Sequence, residues 1–398
     1  MSPFCFDSYF FKYNLNLHLC SFFRGITIVI MSNSFNELVV SEKIRETEDS
    51  YSFLFGIPEN LIDIYGYKAG QYLTIKLIIN GEEIRRAYSI FTAPFEQKFG
   101  FTVKRVKDGK ASNYLIEKVE VGQAIEVLPP EGRFTIEPEH SLQRDHYFIA
   151  GGSGITPVMS MILTVLEEEP MSNVYLFYAN RNEDSIIFKQ KLDAIEEQYE
   201  DQFHCVHVLS QPKKDKSKGL KGLLAKNKTS WKGWKGRIDA SKLQRFLDDF
   251  PSKSGLNLYY LCGPGGLIDS SQTFLLNKEI DKSNILREYF TNPDQESHNP
   301  KGPVPHTGAC EAEVKLNGET FTITIPEDKT VLEALIDLGK DPPYSCTSGA
   351  CSTCVARVLE GEVKMDACFA LDDDEVKEGL VLTCQSRPQT AKLKVDYQ

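Results

Sequence analysis

Three cysteines stand close together in the segment PYSCTSGACSTC (343–354), and a fourth follows in VLTCQSRP (381–388). Four residues separate Cys346 from Cys351, two separate Cys351 from Cys354, and Cys384 lies 30 positions further along the chain. The residues between the first three are mostly serine, glycine and alanine, which let a backbone wrap closely around a compact, negatively charged centre. Because five of the ten cysteines lie between positions 346 and 384, the pattern indicates metal or redox chemistry.

The spacing C-x4-C-x2-C with a distant fourth cysteine is typical of a plant-type [2Fe–2S] cluster. We therefore predict that the cluster ligands are Cys346, Cys351, Cys354 and Cys384. The alternative is a zinc site with four cysteines, but zinc modules usually carry two separated C-x2-C pairs, and this segment has one. Cys368 also lies in this region; the sequence LTCQ around Cys384 favours Cys384 as the ligand, and we expect Cys368 to be a buried thiol.

The composition of the chain limits its function. Its 398 residues are 41% hydrophobic and 25% charged, which is ordinary for a soluble globular protein. This length predicts roughly two to four domains. A net charge of −11 argues against nucleic-acid binding, which needs a basic surface. We expect no stable membrane insertion and a cytoplasmic location.

Residues 1–32 differ in character from the rest. They are aromatic and almost uncharged, and they lack the basic start, apolar centre and cleavage site of a signal peptide. Polar residues interrupt any membrane span. Met31 opens the sequence MSNSFNELVV, which looks like a natural start. We expect residues 1–32 to be a non-native extension or a disordered tail.

Three regions and a linker follow. Residues 33–137 contain strand-like runs rich in β-branched and aromatic residues, which predict an antiparallel β-barrel. Residues 143–292 alternate short apolar strands with helices, which predicts an α/β unit with a parallel sheet covered on both faces. Residues 293–308 carry four prolines and read as a linker. Residues 309–398 hold the cysteines in a compact unit of hairpin-like strands and a helix.

Two short motifs in the barrel region suit a ligand with phosphates and a flat ring. The sequence RAYS (86–89) ends a predicted strand, and GKAS (109–112) begins a short helix. An arginine and a helix N-terminus both neutralise phosphates. The two sequences resemble the R-x-Y-S and G-x-x-S motifs of the ferredoxin–NADP reductase superfamily, with PEGRF (130–134) at the expected end of its barrel. A surface arginine and a barrel tyrosine are the ordinary alternatives for the first motif alone.

This resemblance implies a barrel that binds FAD rather than FMN. It implies that Arg86 neutralises the flavin pyrophosphate, that Tyr88 stacks on the isoalloxazine and that Ser89 forms a hydrogen bond to its N5 atom. The other residues expected to bind this cofactor are Val103, Lys104, Gly109, Lys110, Ala111 and Ser112.

A glycine-rich motif opens the second unit. GGSGITP (151–157) follows a predicted strand and precedes a helix, so a dinucleotide pyrophosphate could approach the helix N-terminus. It resembles the nucleotide motif of the same superfamily, and YYLCGP (259–264) resembles its C-G-P motif. A helix-capping loop and a buried strand thiol are the alternatives. The residues implied in nucleotide binding are Gly151, Gly152, Ser153, Gly154, Ile155, Thr156, Cys262, Gly263 and Pro264.

Three further positions refine this site. Arg181 follows the strand-like sequence VYLFYAN, where an arginine can pair with a 2′-phosphate, and this favours NADPH over NADH. Glu288 and Phe290 lie in LREYF, which resembles the closing segment of the superfamily. There Phe290 would shield the nicotinamide face of the flavin. Glu288 would help to position or protonate the reacting groups. The predicted catalytic residues are Tyr88, Ser89, Cys262 and Glu288.

The charges of the chain are unevenly distributed. Residues 211–237 hold nine lysines and one arginine against one aspartate, whereas residues 309–398 hold 17 acidic and nine basic residues, a net charge of −8. The basic segment is either a solvated loop or a surface that steers NADPH or docks the acidic unit.

The resemblance covers residues 33–398. It extends to oxygenase and hydroxylase reductases with a C-terminal ferredoxin of the β-grasp type, most of all to the reductases of ring-1,2-phenylacetyl-CoA epoxidases. It implies that electrons pass from NADPH through FAD and the [2Fe–2S] cluster to an oxygenase or hydroxylase component, here in phenylacetate catabolism or with another di-iron or Rieske oxygenase. A stand-alone NADPH diaphorase and a non-catalytic redox-sensing module are the alternatives.

Overall fold

The chain is described here by a computed structural model that covers residues 34–96, 98–214, 229–290 and 308–397. The predictions for residues 1–32, for the linker except its last residue, and for most of the basic segment lie outside these ranges. The described residues form three sheets of five or six strands and one small two-stranded sheet.

The first sheet is an antiparallel barrel. Six strands lie in the order β4-β3-β6-β1-β2-β5, and a bridge between Ile90 and Phe101 joins the two edges. Their large apolar residues fill the interior because alternate side chains of each strand point inward. The elements are β1 Asn36–Arg45, β2 Ser50–Gly56, β3 Tyr72–Ile79, β4 Glu82–Ser89, β5 Phe99–Lys104, helix α1 Lys110–Lys118 and β6 Ala124–Val127.

The second sheet is parallel throughout. Six strands lie in the order β10-β9-β8-β7-β11-β12. Helices cover both faces, and a hydrophobic cluster lies on each side of the sheet. Its elements are β7 Asp145–Gly151, α2 Ile155–Glu168, β8 Asn173–Asn180, α3 Lys189–Gln198, β9 Phe203–Leu209, β10 Trp234–Lys235, α4 Ala240–Asp249, β11 Asn257–Gly263, α5 Gly265–Asn277 and β12 Ile285–Tyr289.

The third sheet has the mixed, five-stranded order β14-β13-β19-β15-β17 of a β-grasp unit. Strands β13 and β19 are parallel, and the other pairs are antiparallel. The multidomain fold class predicted from the sequence is thus confirmed. The elements are β13 Cys310–Leu316, β14 Glu319–Ile325, α6 Val331–Asp337, β15 Val355–Glu360, β16 Val363–Met365, α7 Asp373–Lys377, β17 Leu380–Leu382, β18 Ser386–Pro388 and β19 Lys392–Asp396.

A buried carboxylate organises the segment that leads from the barrel into the parallel sheet. Glu169 is fully buried just after α2 and accepts hydrogen bonds from Arg144, His146, Ser172 and the backbone N–H of Glu139. A buried charge is tolerated when several donors surround it in this way. The segment that leads into β7 is therefore held against the end of α2.

Candidate functional site

The order of the parallel strands creates a crevice for a ligand. The chain runs from β7 outward through β8 to β10, and β11 then lies on the opposite side of β7. Ligands of open α/β sheets bind at such a switch point, outside the carboxyl ends of the strands. The two predicted nucleotide motifs follow β7 and β11, so the topology brings both to this crevice.

Close backbone packing joins the two motifs. A Cβ atom added at Gly154 would lie 2.2 Å from the carbonyl oxygen of Cys262. One added at Gly263 would lie 2.9 Å from the backbone nitrogen of Gly151. Both distances are far below van der Waals contact, so these glycines are needed for packing. Gly152 differs, because it has a φ of 55° and faces nearly open space. This open turn at the start of α2 can accommodate a pyrophosphate.

Cys262 lies inside the sheet rather than on its surface. Its side chain is fully buried, and it pairs in register with Glu288 on the neighbouring strand. Burial raises the pKa of the Cys262 thiol well above its ordinary value, and the charge of Glu288 adds to this effect. The thiol is therefore neutral, and its predicted catalytic role stays a prediction.

Glu288 lies where the sheet meets the barrel. Its Oε2 atom is 3.4 Å from the hydroxyl of Ser89, a long hydrogen bond between the two units. The side chain stays partly accessible, yet the surrounding protein desolvates it and raises the pKa of its carboxyl group to about 8, while the Ser89 hydroxyl lowers it. A carboxylate of this kind can exchange a proton near neutral pH.

The predicted flavin residues follow one another along β4. Ser89 is buried, Tyr88 is half-buried and Arg86 is exposed. The ring of Tyr88 lies 5.2 Å from that of Phe101, measured between centroids, which fixes its orientation. Arg86 donates to the carbonyl oxygen of Arg85 at 2.7 Å and forms no ion pair with any residue that the structure describes. An accessible ring beside an uncompensated cation fits a flavin with its phosphates.

The second flavin motif begins helix α1. Gly109 is the N-cap, and the hydroxyl of Ser112 accepts a hydrogen bond from the backbone N–H of Val106 at 3.1 Å. Ser112 is thus committed to shaping the turn that leads into the helix. Lys110 is paired with Glu82 at 2.6 Å. Ala111 lies in the first turn of α1 with its side chain buried, so only its backbone could contact a ligand.

Lys104 and Val103 at the end of β5 have different surroundings. Val103 is fully buried in the barrel core. Lys104 is partly exposed, and its Nζ atom lies 3.8 Å from Asp49 and 3.9 Å from the position of a Cβ atom added at Gly152. Lys104 is therefore a barrel cation close to the predicted pyrophosphate turn.

The remaining predicted residues lie around this centre. Ile155 and Thr156 are buried in the first turn of α2, where the Thr156 hydroxyl donates to the carbonyl oxygen of Ser153 at 2.9 Å. Phe290 packs partly buried against the core cluster that joins barrel and sheet. Arg181 is exposed just beyond β8 and forms no ion pair with any residue in the described ranges. Its guanidinium is free to meet an anion.

The four predicted cluster ligands lie together in two pairs. The thiols of Cys346 and Cys351 are in contact with each other, as are those of Cys354 and Cys384. Among the described residues, no three histidine, cysteine or acidic side chains converge closely enough to hold a single metal ion. Two pairs of thiols suit a cluster of two irons better than one tetrahedral zinc.

Backbone groups around the thiols offer the donors that a charged cluster needs. The N–H groups of Ser348 and Cys351 point at the Cys346 sulfur from 3.4 and 3.3 Å. The buried hydroxyl of Ser345 has no hydrogen-bond partner among the described residues. Gly349 has a φ of 76°, and a Cβ atom there would lie 2.9 Å from the carbonyl oxygen of Ala367. The residues therefore fit a [2Fe–2S] cluster.

Cys368 stands apart from the four ligands. It is half-buried, less than the sequence led us to expect, and its thiol donates to the carbonyl oxygen of Leu371 at 3.9 Å. Its neighbour Phe369 lies 5.2 Å from the ring of Tyr289 at the end of β12. The loop beside Cys368 thus contacts the parallel sheet.

Several residues that connect the units escaped the sequence analysis. The hydroxyl of Tyr72 on β3 is bonded to that of Thr353, and Arg85 on β4 is paired with Asp341. Arg85 is adjacent to Arg86, and Thr353 and Asp341 lie near the cysteines, so their positions could have drawn attention to them. Tyr72 lies in a strand with no recognised motif nearby, and nothing in the sequence marks it.

The fold and these three sites are those of an oxidoreductase that uses FAD, a nicotinamide nucleotide and a [2Fe–2S] cluster. Three family models match: the oxidoreductase FAD-binding domain over residues 37–136, the oxidoreductase NAD-binding domain over 148–273 and the 2Fe-2S iron-sulfur cluster binding domain over 314–389. The predicted cofactor classes are confirmed.

Similar proteins cover nearly the whole chain. One component of the 1,2-phenylacetyl-CoA epoxidase from Escherichia coli (strain K12) is 32% identical over 372 residues, which is 92% of this chain and 98% of the relative. The ferredoxin reductase component of 3-ketosteroid-9-alpha-monooxygenase from Rhodococcus rhodochrous is 32% identical over 367 residues, 90% of this chain and 96% of the relative. The chain belongs to the ferredoxin–NADP reductase superfamily, in its branch with a C-terminal [2Fe–2S] domain.

A solved structure shares the architecture. The crystal structure of phthalate dioxygenase reductase matches with a TM-score of 0.56 and 24% identity, over 91% of this chain and 98% of that one. It supports the fold alone. In the described part of the chain, no helix combines the length and the apolar character needed to cross a membrane.

The cluster assignment predicts a contrast between two cysteine variants. Cys384→Ser removes a ligand and should lower bound iron from about two atoms per chain to near zero, whereas Cys368→Ser should keep about two. Iron and acid-labile sulfide analysis, with visible absorption spectra, would measure this. Zinc in place of iron, or iron loss in Cys368→Ser, would contradict the assignment.

Glu288 predicts a dependence of stability on pH. Because its pKa is raised to about 8 in the folded chain, the folded state binds this proton more tightly than the unfolded state, and stability falls as pH rises from about 4.5 to about 8. Glu288→Gln lacks this titrating group. The thermal midpoint of the variant minus that of the wild type should therefore increase as pH rises from about 4.5 to about 8 and stay constant above pH 8. Parallel curves throughout would show that the pKa is ordinary.

Proposed function

We propose that this chain is the reductase component of a multicomponent oxygenase, which takes electrons from NADPH and delivers them singly to an oxygenase or hydroxylase partner. When bound, FAD accepts two electrons together and releases them one at a time, and a [2Fe–2S] cluster carries one. The reductase components named among its relatives support this role, and the relative from the phenylacetyl-CoA epoxidase makes that oxygenase the first candidate partner. The steroid monooxygenase relative, at the same identity, makes a ketosteroid oxygenase the second.

The observation that carries the proposal is the meeting of all three units at one end of the barrel. Ser89 ends β4 and contacts Glu288 of the parallel sheet. Tyr72 begins β3, pairs in register with Ser89 and bonds to Thr353 between two predicted cluster ligands. The predicted flavin site therefore lies between the nucleotide site and the cluster site, as a relay requires.

Different residues of the chain would bind the two cofactors and hold a proton at the reacting centre. Arg86 and the start of α1 would hold the flavin phosphates, and Tyr88 would orient the flavin ring. The open turn at Gly152 would receive the nucleotide pyrophosphate. Ser89 would direct its hydroxyl toward the reacting face, and Glu288 would hold or release a proton beside it because its pKa lies near 8.

The division into units is part of the same proposal. We assign the flavin unit to residues 33–137, the nucleotide unit to 143–292, the linker to 293–308 and the cluster unit to 309–398. The three main sheets and the three family matches support these assignments. A relay of this kind also favours a freely diffusing protein, so we keep the cytoplasm as its proposed location.

The proposed function predicts that loss of the cluster affects the reduction of two electron acceptors differently. With NADPH, ferricyanide can take electrons directly from the flavin unit, whereas cytochrome c or an oxygenase needs the cluster. Cys351→Ser should therefore keep most ferricyanide reduction and lose cytochrome c reduction. A stand-alone diaphorase would keep both, and a sensor would show little of either in the wild type.

The partner is tested by coupled turnover. Purified oxygenase components of phenylacetyl-CoA epoxidase are combined with this chain, NADPH and phenylacetyl-CoA, and product formation is compared with that supported by an unrelated oxygenase reductase. Turnover above this background would support the first candidate. Turnover only with a ketosteroid oxygenase would favour the second, and none with either would leave the acceptor to another oxygenase class.

Arg181 predicts the choice of nucleotide. An exposed arginine beyond β8 can pair with the 2′-phosphate of NADPH, which NADH lacks. Arg181→Ala should raise the KM for NADPH by about tenfold, the value of one charge-assisted hydrogen bond, and leave the KM for NADH unchanged. Ferricyanide reduction at varied nucleotide concentration would measure it, and equal changes for both nucleotides would refute the assignment.

A further inference from the structure

One hairpin of the barrel contacts the cluster-binding loop at both of its ends. The loop, residues 341–354, carries three of the four predicted ligands. Tyr72 on β3 contacts Thr353 near its far end, and Arg85 on β4 contacts Asp341 and Tyr344 near its start. The same two strands pair directly with each other, and β4 also carries the predicted flavin residues.

The contact made by Tyr72 is buried. Tyr72 is 4% exposed and Thr353 is 8% exposed, and their hydroxyls lie 2.8 Å apart. Gly132 leaves room for the ring, since a Cβ atom added there would lie 3.0 Å from two of its carbons. Backbone hydrogen bonds of 2.8 Å in both directions between Tyr72 and Glu131 hold the residue in place. The barrel therefore presents a fixed hydroxyl to the loop.

The contact made by Arg85 has a different character. Arg85 is 7% exposed, and its guanidinium donates to Asp341 at 2.7 Å and lies over the Tyr344 ring at 4.3 Å from its centroid. Asp341 itself is largely exposed. Glu83 accepts from Arg85 at 2.7 Å and orients it toward the loop. An ion pair with one exposed partner is weakened by salt, whereas the buried hydroxyl pair is not.

We propose that the β3–β4 hairpin is a clamp that docks the cluster loop against the flavin site, with Tyr72 and Thr353 as its buried contact and Arg85 and Asp341 as its exposed contact. Tyr72 and Arg85 are positioning residues, because they act on the distance between the two redox sites and not on the nucleotide. The docking itself is a property of the fold, and its consequence for electron transfer rests on the proposed function.

The clamp explains why the hairpin carries unusual residues where it does. A tyrosine at the buried start of β3 needs a polar partner for its hydroxyl, and the loop supplies it. A nearly buried arginine needs an anion, and both Glu83 and Asp341 supply one. Without the docked loop, Tyr72 and Arg85 would each lose a partner. The docked loop thus supplies one hydrogen-bond partner to each of these two barrel side chains.

The first measurement follows docking directly. Hydrogen–deuterium exchange is recorded for peptides covering residues 341–354 in the full-length holoprotein, for the wild type, Tyr72→Phe and Thr353→Val. Each variant removes one hydroxyl from the buried pair and should raise exchange in this loop roughly two- to tenfold, the value of one hydrogen bond. The double variant should add little to either single variant, because both remove the same contact.

The matched control is Tyr65→Phe. Tyr65 is as buried as Tyr72 and donates its hydroxyl to the carbonyl oxygen of Val127 inside the barrel, away from the loop. It should leave exchange in residues 341–354 unchanged. If Tyr72→Phe and Thr353→Val both behave like Tyr65→Phe, the clamp is refuted.

The second measurement tests whether docking affects electron transfer to the cluster. After mixing with NADPH in a stopped-flow instrument, the rate of cluster reduction, normalised to ferricyanide reduction, should fall in Tyr72→Phe and Thr353→Val. Asp341→Asn should give a smaller loss and should weaken the dependence of this rate on ionic strength, while the exposed pair of Arg133 with Glu375 would keep part of it. Glu313→Gln, which removes an exposed ion pair with Lys394 inside the cluster unit, is its control. Increased loop exchange with an unchanged rate would refute the electron-transfer role and leave the docking intact.

If no oxygenase accepts electrons from the chain, the proposed function fails, but the exchange measurement still decides whether the clamp exists. A variant that fails to fold is recognised by the loss of exchange protection in the barrel strands as well as in the loop. In that case Thr353→Val, which lies outside the barrel, gives the deciding comparison.

Discussion

The hydrogen bond between Tyr72 and Thr353 joins the barrel to the loop that holds the cysteines. The place of this hydrogen bond is constrained, because Tyr72 also pairs in register with Ser89. Ser89 in turn contacts Glu288 of the parallel sheet. Any shift of the loop would leave a buried hydroxyl without a partner, which costs about 1–3 kcal/mol. The three units are thus tied together at the end of one hairpin, where an electron relay needs them to meet.

Close backbone packing plays the equivalent role inside the parallel sheet. Gly154 and Gly263 let the ends of β7 and β11 approach so closely that no side chain fits between them. The backbone at Gly152, at the start of α2, faces nearly open space, because only Lys104 lies near the position of an added Cβ atom. The predicted phosphate-binding turn is therefore shaped by its neighbour as much as by its own sequence.

Two carboxylates in different surroundings have different properties. Glu169 is enclosed by Arg144, His146, Ser172 and a backbone N–H group, and these donors hold the segment that leads into β7 against the end of α2. Glu288 has one long hydrogen bond, from Ser89, so desolvation dominates and raises its pKa to about 8. The first has its hydrogen-bonding capacity filled, and the second can exchange a proton near neutral pH.

The sequence by itself determined the class of each unit and predicted the cluster ligands. Spacing alone singled out Cys346, Cys351, Cys354 and Cys384, because a loop that wraps a cluster needs small residues and fixed intervals that local sequence records. The alternation of strands and helices likewise predicted the barrel and the parallel sheet, since side-chain periodicity is a local property. Only the tertiary structure showed that Cys262 is buried, that Cys368 is half-buried and that Tyr72 and Arg85 contact the predicted cluster loop. These facts depend on contacts between residues more than 250 positions apart or on the packing of whole sheets, and no local pattern encodes them.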